Sequence, residues 1–337
     1  MIWDLHVHIA GVGSQGSGNF LAPAFQRSLA CQLFMRRVGL PPAMMKAPDC
    51  DQQIARFLVD QLNASEVDRA VVLAFDAAYR EDGGRDQEHT LMVADNDFVA
   101  DLASAHPRVL FGASIHPYRR DALAELERLI DRGACLVKWL PGAQNIRADD
   151  PRCLPFYDLL ARHQVPLLCH TGAEISLKAF PHTLNDPRRL ALALERGVTV
   201  IAAHCGMSPF LHQRSYFGAW REMALRYERF YGDISAFGVI TNIWRLRSIL
   251  SSPELTAKLV YGSDFPVAPW PLTCIGAITL RRAWQLRRVR NVFDQAHQLM
   301  QAAGVPHPVF SRAEQLLRVP ASKKAAVAVP TARRIAA

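Results

Sequence analysis

His6 and His8 stand in the opening stretch MIWDLHVHI, together with Asp4, in a segment with the alternation of a β-strand. Residues two apart on a strand point to the same side, so Asp4, His6 and His8 are expected on one side, with Trp3, Leu5, Val7 and Ile9 on the other. Two imidazoles and a carboxylate do not turn inward without partners. They either hydrogen-bond near an exposed end or ligate a metal. Further along, His116 in SIHP, Lys138 in ACLVKWLP, His170 in LLCHTG, His204 in IAAHCG and Asp264 in VYGSDFP each end or follow an apolar run. Imidazole and carboxylate ligands without thiolates suit zinc, iron or manganese. A metal with an open position polarises a carbonyl and acidifies bound water. Such a site also needs a proton carrier, which Asp264 or His204 can supply.

Each residue has a plainer reading. His116, before Pro117, reads equally as a hydrogen-bonded surface residue, and Asp264 or Ser263 can cap the segment that follows. His170 and His204 both end apolar runs just before a glycine, which lets the backbone turn sharply beneath a bound group. Lys138 shares a side with Leu136 and Ala134, so its chain is expected inside the protein. There it needs a carboxylate partner, a depressed pKa, or conversion to a carbamate.

The elements that carry these residues repeat. Strand-like runs at 1–9, 68–75, 108–115, 134–140, 165–170, 198–204, 231–237 and 258–265 are each followed by helical sequence, and most are apolar on both faces, as in parallel sheets. Eight such units predict a single (β/α)₈ TIM barrel, with an insertion at 10–50 after the first strand and C-terminal helices. No glycine-rich GxGxxG turn supports an open doubly wound sheet. The barrel is expected over 1–320 and a flexible Ala/basic tail over 321–337. In such a barrel the polar residues at the strand ends gather at one mouth.

Composition narrows the function. Of 337 residues 50% are hydrophobic and 21% charged, a globular balance, with a net charge of +8. The basic run RRAWQLRRVR at 281–290 reads as the polar face of an amphipathic helix, so no nucleic-acid partner is expected. Seven cysteines without a CxxC pair make neither a disulfide framework nor a zinc ribbon, which fits a reducing, cytoplasmic setting. No apolar run reaches the roughly 18 residues of a membrane span, and no membrane partner is expected.

The combination DLHVH, HTG, AHCG and GSDFP at successive strand ends resembles the metal-dependent amidohydrolase superfamily, in particular the amidohydrolase-related branch that includes aminocarboxymuconate-semialdehyde decarboxylase. The resemblance spans Asp4 to Pro266. It implies metal binding by His6, His8, His170 and Asp264, catalysis by Asp264 and His204, a supporting role for Asp4, and a bridging or substrate-binding role for Lys138. One divalent ion, zinc first with manganese or iron as alternatives, is implied rather than two, and a homodimer is the assembly to expect. The expected reaction is hydrolysis of a lactone, ester or amide bond of a small carboxylate-bearing molecule by a metal-activated water. The alternative is non-oxidative decarboxylation or hydration. Substrate-binding candidates are His116, Arg119 and Trp139, with Arg120 and Lys178 as further carboxylate binders. Arg27, Phe34, Arg36, Arg37, Phe265 and Trp270 are expected in the pocket walls.

Overall fold

In the computed structural model, residues 1–174, 177, 179–208, 213–238, 242–321 and 323 are described. Lys178 and nearly all of the expected tail lie outside them.

Eight strands, β1 (Trp3–His8), β2 (Arg69–Leu73), β3 (Val109–Ala113), β4 (Ala134–Trp139), β5 (Leu167–His170), β6 (Val200–Ala203), β7 (Phe230–Asp233) and β8 (Leu259–Val260), pair in chain order, every pair parallel. The seam between first and last is closed by the Leu5 amide to the Tyr261 carbonyl (3.2 Å), the Asp264 amide to His6 (2.9 Å) and the His8 amide to Phe265 (2.7 Å). This is the (β/α)₈ barrel that the sequence predicts.

Side-chain alternation divides the apolar residues into two layers. One set, including Leu5, Val71, Leu110, Leu136, Leu168 and Ile201, fills the barrel interior, and Ala313, Leu317 and Val319 close it from below. The other set lies between the sheet and the helices and includes Val7, Val72, Phe111, Val137 and Trp139. The helices form where apolar spacing meets a cap. Asp95 accepts from the Asp97 and Phe98 amides to start Asn96–Ala105, and Ala122–Asp131 buries Ala122, Leu126, Leu129 and Ile130 along one stripe.

β1 departs from the expected alternation. Trp3 and Leu5 belong to the interior set but Val7 and Ile9 to the outer one, and the register against β2 shifts between Asp4 and Val7. An irregularity of this kind re-aims a strand's side chains. His6 and His8 therefore join Trp3 and Leu5 on the interior side, and Asp4 is out of phase with them. Its Oδ1 accepts from the amides of His6 (3.1 Å) and Ser263 (2.9 Å), tying β1 to the end of β8.

The segment after β1 is anchored by Asp51. Its carboxylate accepts from the Val12 amide (2.7 Å), the Gly13 amide (3.1 Å), Ser17 Oγ (2.5 Å) and Asn19 Nδ2 (3.0 Å). Gly11 is required beside it, because a Cβ there would sit 2.3 Å from Asp51 Oδ2. Within this segment the short helix Pro23–Gln26 stops before Arg27 and Ser28. Ser28 Oγ accepts from the Cys31 amide and starts a second helix, Leu29–Val38. No described helix is long and apolar enough to cross a membrane.

Candidate metal and acid–base site

The C-terminal ends of the strands bring His6, His8, Lys138, His170, His204 and Asp264 together, with two residues that the sequence reading did not single out, Asp233 and Ser235. His6 is the hub. Its Nδ1 lies 2.7 Å from Asp233 Oδ2, and its Nε2 faces His8 Nε2 (3.0 Å), Lys138 Nζ (3.0 Å) and Asp264 Oδ1 (3.5 Å). A carboxylate only accepts, so the His6 proton resides on Nδ1 and a lone pair on Nε2. Burial, reinforced by the Lys138 charge, holds the His6 imidazolium pKa down to about 3, which keeps that lone pair available.

His204 is fixed from the same side. Its Nδ1 lies 2.9 Å from Ser235 Oγ and 3.2 Å from the Ser235 carbonyl, which can only accept, so Nδ1 carries the proton and Nε2 is the basic atom. Asp233 Oδ1 accepts from the His204 amide (2.8 Å), the Ser235 amide (3.1 Å) and the Ser235 hydroxyl. Burial alone would raise the Asp233 carboxyl, but its bonds to His6 and His204 hold it well below the usual carboxylate range. Asp264 is depressed in the same way, against the push of burial, by His8, His6 and His204. Its Oδ1 is 3.4 Å from His8 Nε2.

The strand ends hold these groups in strained backbone. His204 (φ 62°), Cys205 (φ 50°), Ala236 (φ 57°) and Asp264 (φ 62°) are all left-handed without being glycine, at a cost of about 1–3 kcal/mol each. Such strain persists where the surroundings over-determine it, and here it clusters at the ends of β6, β7 and β8.

The residues fit a divalent metal. His170 Nε2 is buried with no hydrogen-bond partner among the described residues, and its nearest carboxylate, Glu174 Oε2, is 3.7 Å away. A buried imidazole nitrogen left in this way is a ligand atom waiting for an acceptor of its lone pair. His6, His204 and Asp264 offer ligand atoms all within 4.8 Å of one another. His8 Nε2 adjoins two members of that group and His170 packs edge-on to His204 with ring centroids 4.9 Å apart. The tightest trio thus includes His204, for which the resemblance implied acid–base work, while His8 and His170 border it.

Lys138 is wholly buried on the interior side of β4, as its phase with Leu136 predicts. No carboxylate among the described residues lies within ion-pair distance, and burial lowers its pKa against the pull of Asp233 and Asp264.

Other candidates are placed elsewhere. Trp139 points away from the pocket, its indole bonded to the Ile115 carbonyl (2.8 Å) and packed on Phe156 and Tyr157. His116 spends both ring nitrogens on backbone, Nε2 donating to the Gln144 carbonyl (2.8 Å) and Nδ1 accepting from the Tyr118 amide (3.1 Å). Arg119 is committed to Asp121 (2.7 Å) and Asp76 (3.3 Å), and Arg120 is exposed. Phe265 is buried against Phe293, not lining a wall. Arg27 and Arg36 are exposed, Phe34 is half-buried, and Arg37 reaches the Pro269 carbonyl (2.6 Å) beside exposed Trp270.

A parallel eight-stranded barrel with imidazoles and carboxylates converging at its strand ends defines a class of barrel enzymes. Residues 3–286 match the family model described as Amidohydrolase, and the chain belongs to that family. No curated protein matches the sequence. Among solved structures, an uncharacterised TIM-barrel protein from Bordetella bronchiseptica superposes with a TM-score of 0.57 at 19% identity, over 90% of this chain and 99% of that one. The 5-carboxyvanillate decarboxylase of Sphingomonas paucimobilis gives 0.56 at 13% identity, over 95% and 99%. A probable 2-pyrone-4,6-dicarboxylic acid hydrolase from Acinetobacter baumannii, with citric acid bound, gives 0.51 at 15% identity, over 92% and 99%. At these identities the likeness is one of fold.

Proposed function

We propose that this chain is a metal-dependent hydrolase that opens a lactone, ester or amide bond in a small carboxylate-bearing molecule. The observation that carries the reading is Lys138, a wholly buried lysine whose Nζ lies 3.0 Å from His6 Nε2, within the cluster and with no carboxylate among the described residues at ion-pair distance. His6, His8, His170 and Asp264 would hold the divalent ion, with zinc first and manganese or iron as alternatives. When bound, that ion polarises the scissile carbonyl and acidifies water. Asp264, held ionised, accepts the proton of the attacking water and later returns it to the leaving group. His204, with Nδ1 anchored by Ser235, presents Nε2 to orient that water. Lys138 stabilises the negative charge that develops on the carbonyl oxygen, in a setting where water is excluded and a fixed charge acts strongly.

Lys138 also supports a second reading, decarboxylation or hydration, in which its ammonium is the counter-charge of a substrate carboxylate. Decarboxylation differs from hydrolysis in where oxygen goes, and hydration differs in adding water across a carbon–carbon double bond with no lactone, ester or amide bond broken. With a panel of carboxylated lactones, esters and amides and of the corresponding aromatic and unsaturated acids in heavy-oxygen water, hydrolysis places one solvent oxygen in the product with no CO₂ released. Release of CO₂ without solvent oxygen in the product would replace the hydrolase reading by the decarboxylase one. Homodimer assembly and a cytoplasmic location belong to the same proposal, from the family resemblance and the cysteines, which are all free and buried.

A further inference from the structure

Charge is unevenly spread along the chain. Residues 234–293 carry eight Lys and Arg against two acidic residues, one of which is Asp264 in the site. Elsewhere several arginines are paired with acids: Arg128 and Arg132 with Asp97, Arg152 with Asp150, Arg189 with Asp149. No carboxylate among the described residues lies within ion-pair distance of exposed Arg247, Arg281, Arg287 or Arg288. The helix Leu280–Arg287 buries only Ala283 and Leu286.

The same region holds exposed apolar surface. Of six tryptophans, Trp3, Trp139 and Trp220 are buried, while Trp244 (50%), Trp270 (54%) and Trp284 (46%) are the exposed ones, joined by Ile275 and Leu280. They form one face. The Trp244 ring lies against Gly276, where a Cβ would meet it at 2.2 Å, and Arg247 bonds to the Gly276 carbonyl. Arg247, Ile275 and Leu280 line one shallow depression of about 470 Å³. Trp284 is one helical turn from Leu280 and carries the Arg287 guanidinium 5.1 Å above its ring. Arg37 lies 5.5 Å over Trp270, and exposed Leu29 and Leu33 extend the face along the helix Leu29–Val38.

Contiguous apolar surface rimmed by charge marks a site of interaction. We propose that this face docks the protein peripherally on an anionic lipid surface, with the indoles and Leu280 at headgroup depth and the unpaired arginines on lipid phosphates. Indole and guanidinium on one surface suit the bilayer interface, where one end of the side chain is apolar and the other wet. The charge argues against a second copy of the chain, because an isologous contact would set arginine against arginine, with Glu254 as the one acidic residue of 234–293 outside the site. An acidic protein would satisfy the arginines but leaves apolar tips on three separate elements without a shaped cavity to receive them. The expectation of no membrane partner rested on the lack of a spanning segment, and peripheral docking needs none.

Cosedimentation of the full chain with phosphatidylcholine vesicles, with and without a quarter of phosphatidylglycerol, tests the proposal, with tryptophan emission as the second readout. Binding to the anionic vesicles alone is expected, weakened by salt and accompanied by a blue shift. The variant Arg281→Gln/Arg287→Gln/Arg288→Gln should bind about a hundredfold more weakly, near fivefold per charge. Leu280→Ser/Trp284→Ser should lose most of the blue shift. Equal behaviour toward the two vesicle types, or variants that bind as the parent does, would overturn it. So would an equilibrium-sedimentation dimer that these variants convert to monomer, which would assign the face to a second copy. Should a variant misfold by circular dichroism, the parent's vesicle and salt comparison still decides.

Discussion

Asp233 Oδ2 lies 2.7 Å from His6 Nδ1, and Asp233 Oδ1 accepts from the His204 amide at 2.8 Å. One buried carboxylate at the end of β7 therefore sets both the tautomer of the central imidazole and the backbone of the acid–base candidate on β6. Carboxylates placed behind ligating histidines fix ring orientation and raise basicity. Asp233→Asn should lower metal affinity by about 10–100-fold while the barrel remains folded. Competition with a chromogenic chelator measures it, and affinity equal to that of the parent would remove Asp233 from this role.

Lys138→Met replaces a buried cation by an apolar chain of similar length. Removing an unpaired buried charge relieves its desolvation, so the melting temperature should hold or rise. Turnover should fall by about 100-fold or more, as for loss of a charge-stabilising donor. Metal content should stay at one ion per chain. Loss of metal along with turnover would instead make Lys138 part of the metal-holding set.

His116 gives a pH signature remote from the cluster. Burial holds its pKa at about 3 against an ordinary 6.5, so between these values the unfolded chain binds the extra proton and the folded chain does not. Stability from this group is complete above pH 6.5 and declines as the pH falls, by up to about 1.4 kcal/mol per pH unit. Urea titrations from pH 7 to 4 should show a shallower acid decline for His116→Gln than for the parent. Parallel slopes would mean His116 titrates normally in the fold.

Asp51→Ala should free the segment after β1. Two amides and two side chains lose their acceptor, for a cost of about 3 kcal/mol, and limited proteolysis should cut first between residues 10 and 20. Cleavage elsewhere at the parent's rate would show that other contacts hold the segment.

The barrel and most of its polar strand ends were legible because buried parallel strands read as apolar runs, and a histidine or aspartate closing one stands out. Asp233 carries the same signal in YGDISAF, but the apolar pattern there continues to Phe237 and hides the strand's end. The structure ends β7 at Asp233, which brings Asp233 and Ser235 to the mouth. Trp139 could have been excluded from sequence alone, since its neighbour Lys138 points inward and alternation then sends Trp139 out. The shift in β1 was not legible, because it depends on register against β2. The partners of His116 and Arg119 were not legible, because Gln144 ends the short helix Pro141–Gln144 and Asp76 lies on a loop, both distant in sequence, and no local pattern encodes their approach.

Every step of the proposed chemistry depends on the histidines and Asp264 at the strand ends holding one divalent metal. Elemental analysis of chain purified without chelator, beside His6→Ala and Asp264→Ala variants of verified fold, tests it most directly. A single divalent ion per parent chain is expected, with little or none in either variant. A folded, metal-replete parent without bound metal, or variants that retain a full ion, would contradict it.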